Sequence, residues 1–135
     1  MSTAEILIVD DDMDMADGTK AFLEGRGYSV RVAYDPGEGM TKMEEQVPDL
    51  LILDVMMGRG AEGFVMARKI RKEPRFDSMP ILMLTGMREQ TGFSFPGGDP
   101  RHPKFLPVDE FLEKPIDPPG LLERIEGQLA KKTGD

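Results

Sequence analysis

The chain of 135 residues carries 17 basic and 25 acidic side chains, which gives it a net charge of −8. This acidic balance argues against non-specific nucleic-acid binding, which needs a basic surface, and the absence of cysteine excludes a disulfide framework and thiol chemistry. The length predicts one domain over residues 1–135. The amino terminus lacks the basic region of a signal peptide, and no apolar run reaches the roughly 18 residues that span a membrane, so a cytoplasmic protein is expected.

Short apolar runs alternate along the chain with segments of helical periodicity. Strands are predicted at 6–9, 28–32, 50–54, 81–84 and 111–112, and helices at about 14–24, 35–47, 62–72 and from 117 onward. Such alternation predicts an α/β fold, a doubly wound five-stranded parallel sheet with helices on both faces. The second strand alternates apolar and polar residues, so it is expected at an edge of the sheet.

The first and third predicted strands both end in carboxylates. Residues 6–9 lead into three consecutive aspartates, Asp10 to Asp12, and residues 50–53 lead into Asp54. The unbroken apolar run at 50–53 indicates a strand that is covered on both faces. In the flavodoxin-like strand order 2-1-3-4-5, strands one and three are neighbours about 4.8 Å apart, so these acids would converge at the edge where ligands bind. The arrangement indicates a divalent-cation site.

The start and the inner face of the second helix can be predicted from the sequence. Asp35 is expected to be its N-cap, with Pro36 at the first helical position. Met40, Met43 and Val47 are expected to form its apolar stripe, and the proline that follows them is expected to stop the helix.

The segment 87–110 breaks the alternation where a fourth helix should connect the last two strands. It contains glycine at positions 92, 97 and 98 and proline at positions 96, 100, 103 and 107. Proline inside a helix costs about 3 kcal/mol and glycine about 1, so helix 4 is expected to be degraded or replaced by a Gly/Pro-rich loop. Phe93, Phe95, Phe105 and Leu106 are expected to pack back onto the domain, because exposed apolar patches are uncommon.

Four motifs at the predicted strand ends occur in a fixed order along the chain. They are Ile-Val-Asp10-Asp11-Asp12, Leu-Ile-Leu-Asp54-Val-Met-Met, Leu-Met-Leu-Thr85-Gly and Phe111-Leu-Glu-Lys114-Pro115. Each motif alone is weak evidence, since a strand-end acid or a surface lysine is common. Together they resemble the receiver domain of two-component response regulators, and the resemblance covers nearly the whole chain.

The resemblance implies a phosphoprotein with an aspartyl phosphate at Asp54, formed with a phosphoryl group from a histidine kinase or a phosphotransfer protein. A carboxylate acts in this way as a nucleophile toward phosphorus. The resemblance also implies that Mg²⁺ is bound by Asp11, Asp54 and the backbone carbonyl of Met56, with Asp10 acting through water. The cation would keep Asp54 ionised, because crowded carboxylates raise one another's pKa.

Further roles follow from the same resemblance. Lys114 would pair with one phosphoryl oxygen, and the hydroxyl of Thr85 would donate to another. Phe111 would be the switch aromatic whose rotamer follows Thr85. The Lys114–Pro115 peptide bond would be cis.

Two stretches depart from the family pattern. The usual Pro-Gly after the Met-Met of the third strand is absent, and a glycine-rich stretch at 58–63 stands in its place. The segment 87–110 is longer than is typical of the family, which affects the surface through which receivers commonly signal. Loop geometry and dephosphorylation rate are therefore open.

The favoured interpretation is a stand-alone phosphoacceptor in a two-component phosphorelay, which signals through a conformational change to a downstream protein partner. It would not be an enzyme beyond Mg²⁺-dependent self-phosphorylation and self-dephosphorylation. One alternative is a pseudo-receiver that binds partners without phosphorylation. Another is a phosphatase of the haloacid dehalogenase type with Asp10 as nucleophile, which leaves Asp54 unexplained. The oligomeric state is open.

Overall fold

Five parallel strands form one sheet within the part of the chain that the structure, a computed structural model, describes: residues 4–55, 62–76, 78–85, 108–114 and 117–132. The strands are β1 (Glu5–Val9), β2 (Ser29–Ala33), β3 (Leu50–Asp54), β4 (Ile81–Thr85) and β5 (Glu110–Glu113). Their order in the sheet is β2-β1-β3-β4-β5, which confirms the predicted topology and the edge position of the second strand.

Helices cover both faces of the sheet. They are α1 (Met13–Glu24), α2 (Pro36–Glu45), α3 (Glu62–Arg71) and α4 (Pro118–Lys132), with a short 3₁₀ helix at Pro74–Phe76. Each face has its own hydrophobic cluster, because successive strand side chains point to opposite faces. Leu53 packs in the cluster beneath α2 and α3, whereas Ile52 packs in the cluster beneath α1 and α4. All residues of β1, β3 and β4 are buried, as expected of central parallel strands.

Helix α2 begins at its predicted capping residue, and an aspartate also caps α1. The side chain of Asp35 accepts a hydrogen bond from the backbone N–H of Glu38, and Pro36 occupies the first helical position. Asp12 accepts a hydrogen bond from the N–H of Met15 and is the N-cap of α1.

The prediction that Val47 belongs to the buried stripe of the second helix is wrong. Helix α2 ends at Glu45, the chain is extended at Gln46, and 41% of Val47 is exposed. The cause is the following residue, Pro48, because a residue directly before proline is disfavoured in the helical region. Met43 is fully buried as predicted.

A charged cluster centred on Arg31 connects β1 and β2 to the end of α2. The guanidinium donates to the carboxylate of Glu5 and to the backbone carbonyls of Lys42 and Gln46, at distances of 3.1, 2.9 and 2.6 Å. The backbone N–H of Glu5 donates in turn to Asp49, the residue before β3, at 2.7 Å. These contacts join β1, β2, β3 and α2 at one end.

Asp109 makes an equivalent connection at the other side of the sheet. Its carboxylate accepts hydrogen bonds from the backbone N–H of Ile81 at 2.7 Å and from Arg71 at 2.8 Å. Arg71 also donates to the carbonyl of Phe76 at 2.9 Å. The start of β5 is therefore tied to the start of β4 and to the end of α3.

Most of the irregular segment predicted between the last two strands lies outside the described residues, which resume at Val108. The predictions for helix 4 and for Phe93, Phe95, Phe105 and Leu106 fall there. Among the described residues, no helix is long and apolar enough to cross a membrane.

Gly63 allows α3 to approach the end of β3 more closely than any other residue would. A Cβ atom placed on Gly63 would lie 2.0 Å from the backbone oxygen of Asp54 and 2.8 Å from the Cα of Val55. The N–H of Gly63 donates to the carbonyl of Val55 at 3.0 Å. Because the opposing atoms belong to the backbone, they cannot move aside as a flexible side chain would.

We expect Gly63→Ala to destabilise the domain by about 1–3 kcal/mol, the usual effect of overpacking. Gly127→Ala is the matched control, since nothing lies within 4 Å of the added methyl group in the helix α4. The free energy of unfolding of that control should rise by about 0.5–1 kcal/mol, because alanine lowers the backbone entropy of the unfolded chain. Urea unfolding measures both changes, and equal effects of the two substitutions would contradict the close approach at Gly63.

Candidate functional site

Three carboxylates meet at the carboxyl edge of the sheet. Asp10 and Asp11 follow β1, and Asp54 is the last residue of β3, whose register pairs Val9 with Leu53. Each of the three acids offers one oxygen, and these oxygens lie within 4.8 Å of one another. The side chains differ in access to solvent, because Asp10 is 1% exposed and Asp54 3%, whereas Asp11 is exposed.

One ammonium group bridges two of these acids. Lys114 directly follows β5, and its Nζ lies 3.2 Å from Asp10 and 3.2 Å from Asp54. Its backbone N–H donates to the carbonyl of Thr85 at 2.8 Å, which fixes the start of the side chain at the end of β4. Among the described residues, the site therefore contains three carboxylates and one nearby cation.

The loop after β1 holds Asp10 in a defined orientation. One oxygen of Asp10 accepts a hydrogen bond from the backbone N–H of Asp12 at 2.9 Å, and the other faces Lys114. Asp12 points its own side chain to the start of α1, where it caps the helix. The two aspartates therefore differ in role, since Asp12 caps a helix and Asp10 lies within the acidic cluster.

The electrostatics of the cluster act most strongly on Asp54. Burial, together with the negative charge of Asp10, raises the pKa of Asp54 from 3.8 to about 7, although Lys114 opposes the shift. Burial lowers the pKa of Lys114, but the attraction of Asp54 and Asp10 outweighs it and leaves that pKa raised. Without a further cation, the site therefore favours the charged form of Lys114 and disfavours the charged form of Asp54.

The two predicted switch residues lie on neighbouring strands at this end of the fold. Thr85, the last residue of β4, is 7% exposed and pairs in register with Glu113. Phe111 lies on β5, half-buried, with its ring centroid 6.3 Å from that of Phe64 on α3. Met56 and Pro115, with the predictions made for them, fall outside the described residues.

Gly63 has no functional role that the sequence pattern predicts, yet it sets how closely α3 approaches Asp54. A glycine in the first turn of a predicted helix, where it lowers helix propensity, was the signal available for it.

The chemistry of the site follows from its groups. Clustered oxygens suit a hard divalent cation, and a buried carboxylate beside an ammonium suits the transfer of an anionic group.

Comparison with known proteins agrees with this arrangement. The chain is 33% identical over 131 residues to the regulatory protein VanRc of Enterococcus gallinarum, covering 94% of this chain and 50% of that protein. It is 32% identical over 128 residues to the DNA-binding dual master transcriptional regulator RpaA of a Synechocystis strain, covering 93% and 49%. The chain thus spans about half the length of these curated relatives.

A solved structure matches over nearly its full length. It is the CheY-like response regulator receiver domain protein of Methanospirillum hungatei JF-1, with a TM-score of 0.82, 30% identity and coverage of 98% of both chains. Residues 6–95, which include most of β1, all of β2 to β4 and the three acids, match the family model of the response regulator receiver domain. The chain therefore belongs to the response regulator receiver domain family of two-component signalling.

Proposed function

We propose that this receiver domain accepts a phosphoryl group on Asp54 from a histidine kinase or a phosphotransfer protein, in a Mg²⁺-dependent reaction. The observation that carries the proposal is the position of Asp54, buried between Asp10 and the ammonium of Lys114 and within reach of Asp11. A structural acid at a strand end would need neither the second carboxylate nor the shared cation.

In the proposed reaction, an oxygen of Asp54 attacks the phosphorus of a phosphohistidine. The new O–P bond gives an aspartyl phosphate, the P–N bond breaks, and the imidazole that leaves takes up a proton. Phosphoryl transfer depends mainly on positioning and on neutralising charge. Lys114 already lies 3.2 Å from Asp54 and would move with the incoming group to pair with one of its oxygens.

The three acids Asp10, Asp11 and Asp54 fit a magnesium site, since each offers one oxygen, these oxygens lie within 4.8 Å of one another, and Mg²⁺ prefers oxygen ligands. We propose Asp11, Asp54 and the carbonyl of Met56 as direct ligands, with Asp10 acting through water. When bound, the cation would neutralise the acids and the incoming phosphoryl group. The hydroxyl of Thr85 would then donate a hydrogen bond to a phosphoryl oxygen. The rotamer of Phe111 would follow the movement of Thr85 and act as the switch.

We further propose that the domain is a single cytoplasmic unit that signals to a downstream protein and binds no nucleic acid itself, given its net charge of −8. The DNA-binding activity named for one relative belongs to a protein about twice as long. The pseudo-receiver alternative has less support, because the acids, Thr85 and Lys114 are all present.

Phosphorylation by acetyl phosphate and Mg²⁺ tests the acceptor. We expect the wild type to gain the mass of one phosphoryl group and Asp54→Asn to gain none, because the amide is not a nucleophile of this kind. Asp14→Asn, an exposed acid in the first turn of α1, is the control and should be labelled like the wild type. Labelling of the Asp54 variant would refute the assignment.

Calorimetric titration with Mg²⁺ tests the metal ligands. Asp11→Asn should weaken binding by at least about tenfold, because metal sites lose that much even when an outer partner is removed. Asp12→Asn removes the same charge one residue away, while asparagine remains a good helix cap. Equal affinities of the two variants would show that the cation is held by general negative charge.

The raised pKa of Asp54 predicts how the metal-free domain responds to pH. Its folded pKa of about 7 lies above its ordinary value of 3.8, so the folded state holds the proton more tightly. The free energy of unfolding attributable to this group should therefore fall as the pH rises from about 4 to about 7. Asp54→Asn should match the wild type at low pH and be the more stable protein above pH 7.

Urea unfolding in the presence of a chelator measures this difference, and Asp14→Asn controls for the loss of one negative charge. A difference between wild type and Asp54→Asn that does not change with pH would contradict the raised pKa.

A further inference from the structure

A groove opens between the first turns of α2 and α3, on the face of the domain that these helices cover. Its volume is about 250 Å³, and its apolar wall comes from Pro36, Met40, Val65 and Met66. Val65 is 54% exposed, which is unusual for a large aliphatic side chain in this fold. The groove therefore offers space and apolar contact for one side chain from outside.

Beside the groove, α3 presents a cluster of positive charge. Arg68, Lys69 and Lys72 are exposed, and Lys69 also lines the groove. Within the described part of the chain, no ion pair involves any of the three. Other basic side chains of the domain do pair with carboxylates, namely Lys20, Arg31, Arg71, Arg75, Lys114 and Arg124.

The spacing places these charges and the exposed valine together. Val65 and Lys69 are four residues apart and so share one side of α3, and Lys72 directly follows the last residue of the helix. Arg68 and Lys69 lie in the last turns of the same helix, so the three positive charges are close together in sequence. Glu62 also lines the groove and offsets the charge of Lys69 there, so the local excess of positive charge comes from Arg68 and Lys72 beside it, in a chain with eight more acids than bases.

We propose that this surface, formed by the groove and the cations of α3, binds an acidic peptide segment of a partner protein that carries one apolar anchor side chain. The anchor would enter the groove against Val65 and Met40, and carboxylates on either side would pair with Lys69, Lys72 and Arg68. Charge complementarity favours an acidic peptide over nucleic acid, because the net charge of −8 repels a long polyanion. The proposal goes beyond phosphorylation and does not depend on Asp54.

A fluorescein-labelled peptide, Glu-Glu-Ser-Glu-Leu-Glu-Glu-Ser-Glu, is the probe, added to the metal-free, unphosphorylated full chain. Fluorescence anisotropy should show saturable binding, and amide chemical shifts should move at Met40, Val65 and Lys69. Lys69→Glu should weaken binding about fivefold, since it turns an attraction of up to about 1 kcal/mol into a repulsion.

Lys131→Glu is the matched control, because it makes the same change of charge at an exposed position of α4 and should leave affinity unchanged. Val65→Ser in the protein, and glycine in place of leucine in the peptide, should each weaken binding through loss of the apolar contact. Because these residues are exposed, the variants should keep the fold, which thermal unfolding checks.

Three results would overturn the proposal. An equal loss of peptide affinity in Lys69→Glu and Lys131→Glu would show that the peptide binds by general charge attraction. Chemical shifts confined to another face would place the peptide elsewhere. Binding of duplex DNA or phosphatidylserine vesicles that Lys69→Glu abolishes, without peptide binding, would assign the surface to a different class of partner.

Discussion

The repulsion among carboxylates that share a single ammonium group is the constraint on which this domain depends. Asp54 is almost completely buried, and the neighbouring charge of Asp10 adds to the unfavourable free energy of its ionised form. Lys114 offsets only part of this. Groups whose pKa values are strongly shifted by burial and by specific neighbours are typical of functional sites, because a stable fold alone would avoid them.

The sheet creates this crowding through its topology. Strands β1 and β3 are separated by some forty residues of sequence, yet they are hydrogen-bonded neighbours whose ends coincide. The acids therefore cannot separate without breaking the ladder between two central strands. Lys114 follows β5, the edge strand farthest from β2, so β1, β3 and β5 must all be in place before its ammonium reaches the acids.

Much of the fold could be predicted because periodicity and burial agree along the chain. The edge strand and the cap at Asp35 follow from local patterns, whereas the strand order follows from the resemblance to receiver domains. Val47 has the spacing of the apolar stripe of the second helix, but the restriction imposed by Pro48 outweighs that spacing. The roles of Asp54, Lys114, Thr85 and Phe111 remain predictions, since they concern chemistry that occurs with a metal and a phosphoryl donor.

Other features could not be predicted because they depend on distances in space. The contact of Gly63 with the backbone of Asp54 requires knowing how α3 approaches β3. The bond from Gln128 to Glu110, at 2.7 Å, buries a polar residue on the inner face of α4, where periodicity alone indicates an apolar one. The hydrogen bonds of Asp109 depend on which strand start lies beside it.

The polar contacts of Arg31 and Asp109 give the two ends of the domain different rigidity. At the end of the sheet where the strands begin, hydrogen bonds that involve charged side chains join β1, β2 and β3 to α2. Similar bonds join β4 and β5 to α3. The carboxyl ends of the strands instead carry unbalanced charge. Because the last turns of α2 and α3 are held by these bonds, we expect a change of charge at the acids to displace the first turns of these two helices more than their last turns.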